Sequence, residues 1–449
     1  MLSPDQAKTV AEGLVERGLR AGASAADALY VGDRSSSVQV RLGKLEDVGR
    51  SEGEQIGLRL FVGQRSATAA SSDLSGEALG ILVERCLAMA REAPEDPYAG
   101  LAPAELLHRQ GADSQLETSD PVEPDPSELR GRALEAEHAA LAVDGVTNSS
   151  GAGASASASI IGLATSGGFS GAYQGTAHSC SATMIAGEGG RMQRDHAWHS
   201  ARHLADLDAA AEIGRKAGER AVARLDPTRP RPGRYPVLFD PRVSSTLLGH
   251  FASAISGSSI ARRTSFLQDM LGQRIFAEGV NIIDDPLRRR GLRSRPFDGE
   301  GMKVSRQELV SKGHLTHWIA ESASARQLQM LPTGHAVRGV GGAPSAGPSN
   351  LYLAAGAKSR DEVLATFPEA LLVVELIGQG VNSVTGDYSR GAVGFMVRNG
   401  EIGEAVSEIT IASNLVDMFA TLEPASDLEF RRGIDAPTIL VPEMTVAAA

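Results

Sequence analysis

What the sequence has little of narrows it first. Its 449 residues include two cysteines, Cys86 and Cys180, too few for a disulfide framework or a thiolate metal cluster. Aromatic residues make up only 4%. No apolar run approaches the ~20 residues that would span a bilayer as a helix. The opening MLSPDQAKTVAEGLVERGLR lacks the basic-then-apolar layout of a secretion signal. The expectation is a soluble, cytoplasmic protein with no membrane partner.

Several catalytic signatures are missing too. There is no G-x-x-x-x-G-K-[ST] and no G-x-G-x-x-G, since Gly378-Gln379-Gly380 is followed by Ser383 where the third glycine belongs. A nucleophile elbow needs glycine on both sides of its serine. Ser389 has Asp387 in place of the first glycine, and Ser345 has Ala343; both read as turn residues. None of the ten histidines precedes a glutamate, so the zinc-binding H-E-x-x-H helix is absent. His196, His199 and His203, following Asp195, have ligand-like spacing, but their polar surroundings next to a helix pattern read as surface or capping positions. His314 and His317 fall on opposite faces of a strand and cannot easily share an ion.

Glycine is abundant, at 50 residues, and the net charge is −11. Residues 1–226 carry 21 basic and 32 acidic side chains; residues 227–449 carry 23 of each. That balance argues against sequence-independent DNA binding, which needs phosphate-neutralising cations. The local exception is Arg288-Arg289-Arg290 with Arg293 and Arg295. Asp284, Asp285, Asp298 and Glu300 flank it, so it reads as a solvated or internally paired loop.

Along the chain, Pro4–Arg20 has helical apolar spacing behind a Ser3-Pro4 start. Strands are expected at 28–31, 38–42 and 56–62, then a helix from Ser75 to Arg91, giving an αβββα unit over 1–91. Residues 92–126 are proline-rich and acidic, an extended connector. Over 127–226 we expect a helix at 127–141, a small-residue antiparallel sheet in the Gly/Ala/Ser-rich 148–190, and a long helix from 204 to 225. The main boundary falls at Asp226-Pro227. Beyond it, a sheet-rich domain (227–449) should contain strands at 235–239, 351–353, 371–376 and 438–442. It should also hold a helix over 243–255, a hairpin turning at Lys312-Gly313 and a short helix at 322–330. The fold class is α+β.

Several separated segments then resemble one family. Tyr235-Pro-Val-Leu-Phe-Asp-Pro241, Ile283-Asp-Asp-Pro286, Ser294-Arg-Pro-Phe-Asp-Gly-Glu-Gly301, Thr333-Gly-His335, Gly347-Pro-Ser-Asn-Leu-Tyr352 and Gly386-Asp-Tyr-Ser-Arg-Gly391 are similar, in order, to motifs of the TldD/PmbA family. The similarity is greatest to its PmbA (TldE) branch, once called modulator of DNA gyrase. The resemblance implies a zinc metallopeptidase system of two related chains that cleaves unfolded or extended peptides, in peptide-antibiotic maturation and antitoxin turnover. The TldD-type chain carries an H-E-x-x-x-H helix and a later cysteine ligand. Here the equivalent helix reads Gly249 for the first histidine, His250 for the glutamate and Ala254 for the second histidine, and no cysteine follows. Three zinc ligands cannot be built from these residues.

The resulting expectation is a non-catalytic subunit without a cofactor of its own, with zinc in a TldD-like partner. It would form a heterodimer with that partner, a homodimer being the alternative. Asp387, Tyr388, Ser389, Arg390 and His250 are the candidate peptide- or partner-contact residues, the first four on a loop between strands. Two other functions stay open: a self-sufficient hydrolase using 387–390, and a nucleic-acid or gyrase-associated binder using the arginine run.

Overall fold

The computed structural model describes residues 1–109 and 113–448. Helix α1 (Pro4–Arg20) starts where Ser3 accepts the Gln6 amide, and the Gln6 side chain returns the bond, satisfying two otherwise unpaired amides. Strands β1 (Ala25–Arg41), β2 (Lys44–Val62) and β3 (Arg65–Ser71) follow, then α2 (Gly76–Glu92). The αβββα unit is present, with different strands. Segments 28–31 and 38–42 are the two ends of one long β1. Segment 56–62 is the inner end of β2, and β3 lies where no strand was expected.

After the connector come α3 (Pro126–Leu141), β4 (Val146–Thr165), β5 (Ser170–Ala186), β6 (Gln193–Ala201) and α4 (Ala210–Ala223). The small-residue region is the expected antiparallel sheet. Its alternation sets Ala152, Ala154, Ala156 and Ala158 to the buried side, as the two-residue side-chain period of a strand requires. The expected helix over 204–225 is shorter, because its first residues form a single 3-10 turn, Leu204–Asp206. The histidine-bearing residues before it form β6.

β1 to β6 make a single antiparallel sheet in the order β3-β2-β1-β4-β5-β6. The register joining β1 to β4 runs from Asp27↔Thr165 to Val40↔Ala152, so the segments before and after the connector share one sheet. α1 and α2 cover one end of it, packing on Ala28 and Tyr30; α3 and α4 cover the other, packing on Val38 and Val40. On the opposite face Leu29 and Leu163 meet Phe169 and Phe297, whose rings sit edge-on at 4.8 Å.

The carboxy-terminal half opens with β7 (Gly233–Phe239), α5 (Pro241–Ala254), α6 (Gly257–Ala261) and β8 (Ile282–Asp284). Next are β9 (Gln307–Ser311), β10 (His314–Leu315), α7 (Ser322–Gln327), β11 (Ala336–Val337), β12 (Ser345–Ala346), β13 (Leu351–Leu353) and α8 (Arg360–Leu364). It closes with β14 (Glu369–Ile377), β15 (Asp387–Arg398), β16 (Glu401–Asn414), α9 (Leu415–Thr421), β17 (Glu423–Pro424), β18 (Ile434–Asp435) and β19 (Ile439–Ala448). Lys312 and Gly313 both have positive φ, 47° and 83°, the conformation a two-residue hairpin turn requires.

Strands run β16-β15-β14-β7-β19-β17, and β16 also pairs with β19, which closes five of them into a barrel. α5 buries Val243, Leu247, Leu248 and Phe251 in the same cluster as the inward-facing Phe239, Val373, Tyr388 and Ile411. The smaller sheet is β10-β9-β8-β13-β18.

The two halves are joined by buried charge. Asp27 on β1 accepts Nε of Arg59 at 2.8 Å and Nη1 of Arg338 at 2.6 Å. Burial alone would raise this carboxyl; the two guanidiniums outweigh it and hold it below its usual range. The connector is pinned as well, since Arg326 donates to the carbonyls of Tyr98 and Leu101.

The α3–α4 contact is close enough to test. A Cβ on Gly214 would sit 1.9 Å from the Ala136 carbonyl oxygen. Alanine should gain up to about 1 kcal/mol of helix propensity, but overpacking costs about 1–3 kcal/mol. We expect Gly214→Ala to lower the urea-unfolding free energy by about 1–2 kcal/mol. A gain in stability would show that the helices simply move apart.

Candidate functional site

α5 begins at Asp240, whose carboxylate accepts the Arg242 amide, with Pro241 in the first turn. The three positions that the resemblance sets against a zinc helix have different surroundings. Ala254 is buried, and a Cβ on Gly249 would meet nothing within 4 Å. His250 is half-buried, its Nε2 has no hydrogen-bond partner, and its ring stands edge-on to Tyr388 at 6.2 Å. Burial, and then the charge of Arg390, push this imidazole below its ordinary value, so it is neutral at pH 7. The Tyr388 hydroxyl is buried without a partner, and burial pushes the phenol far above its usual range. Arg390 donates from Nε to the Ile377 carbonyl at 3.4 Å.

Asp387–Arg390 are the first residues of β15, not a loop. Strand alternation divides them: Tyr388 and Arg390 are buried near His250, whereas Asp387 and Ser389 are exposed on the other face. Asp387 accepts from Thr385 at 2.6 Å and from Asn414 at 3.2 Å, bonds that hold the entry to β15. The five candidates thus form one cluster of three and two separate surface residues.

The histidines of β6 are also divided. His196 faces out, whereas His199 faces in and accepts the Asp208 amide at 3.0 Å. His203 contacts the Glu117 carbonyl at 2.9 Å. Asp195 is bound by Arg224 at 2.8 Å and Arg242 at 3.1 Å. Among the described residues no three His, Cys, Asp or Glu side chains are placed to hold a metal ion. Both cysteines are buried, and burial pushes their thiols up to about 11, so neither is a reactive thiolate at neutral pH.

Several motif residues prove to be structural. Asp284 accepts the Ser349 amide and hydroxyl, each at 2.7 Å, and lies 3.3 Å from Nε2 of His335. Three separated motifs therefore meet on one carboxylate. The set contains Asp, His and Ser, but the hydroxyl donates to the carboxylate rather than to the imidazole, and all three are fully buried. A nucleophile needs its base within reach and access to substrate, so this is an internal brace. Asn350 extends it, bonding the Arg293 amide, the Asp285 carbonyl and the Ser294 hydroxyl. Sequence reading gave these residues no role, because their partners lie tens of residues away.

Comparison with known proteins agrees with these motifs. Three PmbA/TldA metallopeptidase family models match the chain: domain 1 at residues 26–90, the central domain at 119–225 and the C-terminal domain at 232–448. The chain belongs to the PmbA/TldD metallopeptidase family. It is 38% identical over 413 residues to the metalloprotease PmbA of Escherichia coli O157:H7, covering 92% of this chain and 89% of that one. It is 35% identical over 437 residues to a PmbA homolog of Haemophilus influenzae, covering 96% and 94%. In fold it is similar to TldE of Thermococcus kodakarensis, with a TM-score of 0.87, 19% identity, and coverage of 98% and 100%. A Bacteroides thetaiotaomicron protein described as a candidate modulator of DNA gyrase gives 0.92 at 24% identity, with full coverage of both chains. The relatives' name implies a metal in the family. The positions that the resemblance sets against the zinc helix do not fit one, since the Gly249 and Ala254 side chains offer no donor atom and the His250 imidazole feels the positive charge of Arg390.

Two outcomes follow from the buried groups. Removing the unpartnered hydroxyl in Tyr388→Phe should leave stability unchanged or raise it by up to about 1 kcal/mol. A clear loss in thermal denaturation would mean that the hydroxyl has a partner. Glu300 is buried with its carboxylate accepting from Ser322, and burial followed by the Asp298 charge pushes it up to about 7. A folded-state value raised above the unfolded one stabilises fully below the unfolded value and is lost as pH rises to the folded one. Stability should therefore fall between about pH 4.5 and pH 7, by at most about 3 kcal/mol from this group. Glu300→Gln should flatten that part of the pH–stability curve, and an unchanged slope would reject the assignment.

Proposed function

We propose that this chain is the non-catalytic PmbA/TldE-type subunit of a TldD-like zinc metallopeptidase that cleaves unfolded or extended peptides in the cytoplasm. The observation that supports this most is the donor set on α5. Positions 249 and 254 carry glycine and alanine, and the remaining imidazole lies beside Tyr388 and under the influence of Arg390. A positive neighbour opposes a bound dication as it opposes a proton. Zinc and its activated water would belong to the partner chain. This chain would stabilise that partner and help to form the chamber that admits peptide. Peptide backbone could be held by strand addition at β3 or β6, the end strands of the six-stranded sheet.

The test is to purify the chain alone and together with a TldD-like partner, then measure zinc content and cleavage of an unfolded peptide. Zinc and activity are expected only with the partner present, and at wild-type level in a paired Ser389→Ala variant. Stoichiometric zinc with cleavage by this chain alone would overturn the proposal.

A further inference from the structure

The arginine run of the sequence lines a cavity whose wall includes none of Gly249, His250 and Ala254. A cavity of about 420 Å³ lies between β6, the loop at 288–292 and the segment at 430–432. Its wall carries Arg202, Arg288, Arg289, Arg290, Arg431 and Arg432 against a single carboxylate, Asp206. Among the described residues, the acids flanking the run in sequence form no ion pair with it, although Asp285 pulls on Arg288. Arg289 and Arg290 share Glu117, at 2.6 and 2.7 Å, and Arg290 also holds Asp206 at 3.0 Å. Arg431 binds Asp208 and Glu429, at 2.6 and 2.7 Å.

Among the described residues, three guanidiniums of this wall make no direct ion pair with a carboxylate. Arg202 spends its donors on the carbonyls of Thr176, Gly291 and Leu292, which satisfy geometry but not charge. Arg288 lies 3.5 Å from the centroid of the Phe430 ring. Arg432 bonds the Arg242 carbonyl and the Ser245 hydroxyl and stands over Trp198 at 5.1 Å. Asp435, the acid nearest Arg288 and Arg432, accepts the backbone amides of Arg431 and Arg432. Burial lowers the affinity of all three guanidiniums for their protons, and the pull of Asp435 on Arg288 and Arg432 only partly offsets it.

We propose that this cavity binds a small polyanion, whose phosphate or carboxylate oxygens supply the direct ion pairs that Arg202, Arg288 and Arg432 do not make among the described residues. Forked guanidinium donors suit both oxyanions, and the volume lies in the range of small-molecule sites, about 300–1,000 Å³. The inference does not depend on the peptidase reading and concerns other residues.

Calorimetric titration of the full chain with inorganic pyrophosphate and, separately, with citrate tests it, with melting curves alongside. At least one should bind one-to-one, raise the melting temperature and weaken as salt is added. Which one binds tells phosphate from carboxylate. Arg288→Met keeps an apolar stem on Phe430, so it should remain folded, as its melting curve will show, while losing at least tenfold in affinity. Arg288→Lys should fall between. No binding of either anion by the intact protein would overturn the proposal, as would unchanged affinity in folded Arg288→Met. Binding of a single-stranded oligonucleotide while both small anions fail would overturn it too.

Discussion

The buried carboxylate of Asp27 fixes how the two halves of this protein meet. It sits on the first strand of the six-stranded sheet and takes one guanidinium from its neighbour strand and another from the glycine-rich loop at 338–350. Stripping water from these charges is expensive, and such a cluster is weak evidence for net stability. Its value is positional, because any misdocking leaves a charge buried and unpaired. The loop approaches so closely that a Cβ on Gly57 would lie 1.9 Å from the Val340 oxygen. Charge and backbone contact together hold the carboxy-terminal half against the amino-terminal sheet.

Local physics was legible in the sequence wherever it was strong. Ser3-Pro4 announced the first helix because a cap and a preset φ act within one turn. Lys312-Gly313 announced its hairpin, and the recurring Ile160-Ile161, Phe169, Tyr173 and Met184-Ile185 announced a sheet in the small-residue region. β3 was missed because RSATAAS holds no bulky apolar residue. It is a strand because β2 offers it a full ladder from Ile56↔Ser71 to Val62↔Arg65. The histidines at 196 and 199 suggested a cluster only while their segment had no assigned strand; three-residue spacing on β6 sends them to opposite faces. Asp27 and Arg338 are 311 residues apart, and no local pattern connects them.

The candidate site was half legible. Glycine at 249 and alanine at 254 are plain in the sequence, whereas the environment around His250 is not. Asp387, Tyr388, Ser389 and Arg390 looked equivalent as neighbours in the chain, but a strand's two-residue period separates them. The motifs that identify the family include residues of a different kind, Asp284, His335, Ser349 and Asn350, which brace the carboxy-terminal half. Such bracing is made by hydrogen bonds among buried side chains and needs no metal.

That distinction bears on how a metallopeptidase fold could outlive its metal. A zinc site adds a dication to the protein, and the helix that carries it must be compatible with that charge in a partly buried setting. In this chain the corresponding space already holds a permanent positive charge on Arg390, a neutral imidazole and a phenol that burial keeps protonated. α5 draws its stability from Val243, Leu247, Leu248 and Phe251, packed against the inside of the barrel, and none of these contacts involves a donor atom. Helix and barrel pack through this apolar face, and the buried Ser244 hydroxyl adds a hydrogen bond to the Ala436 carbonyl at 3.2 Å.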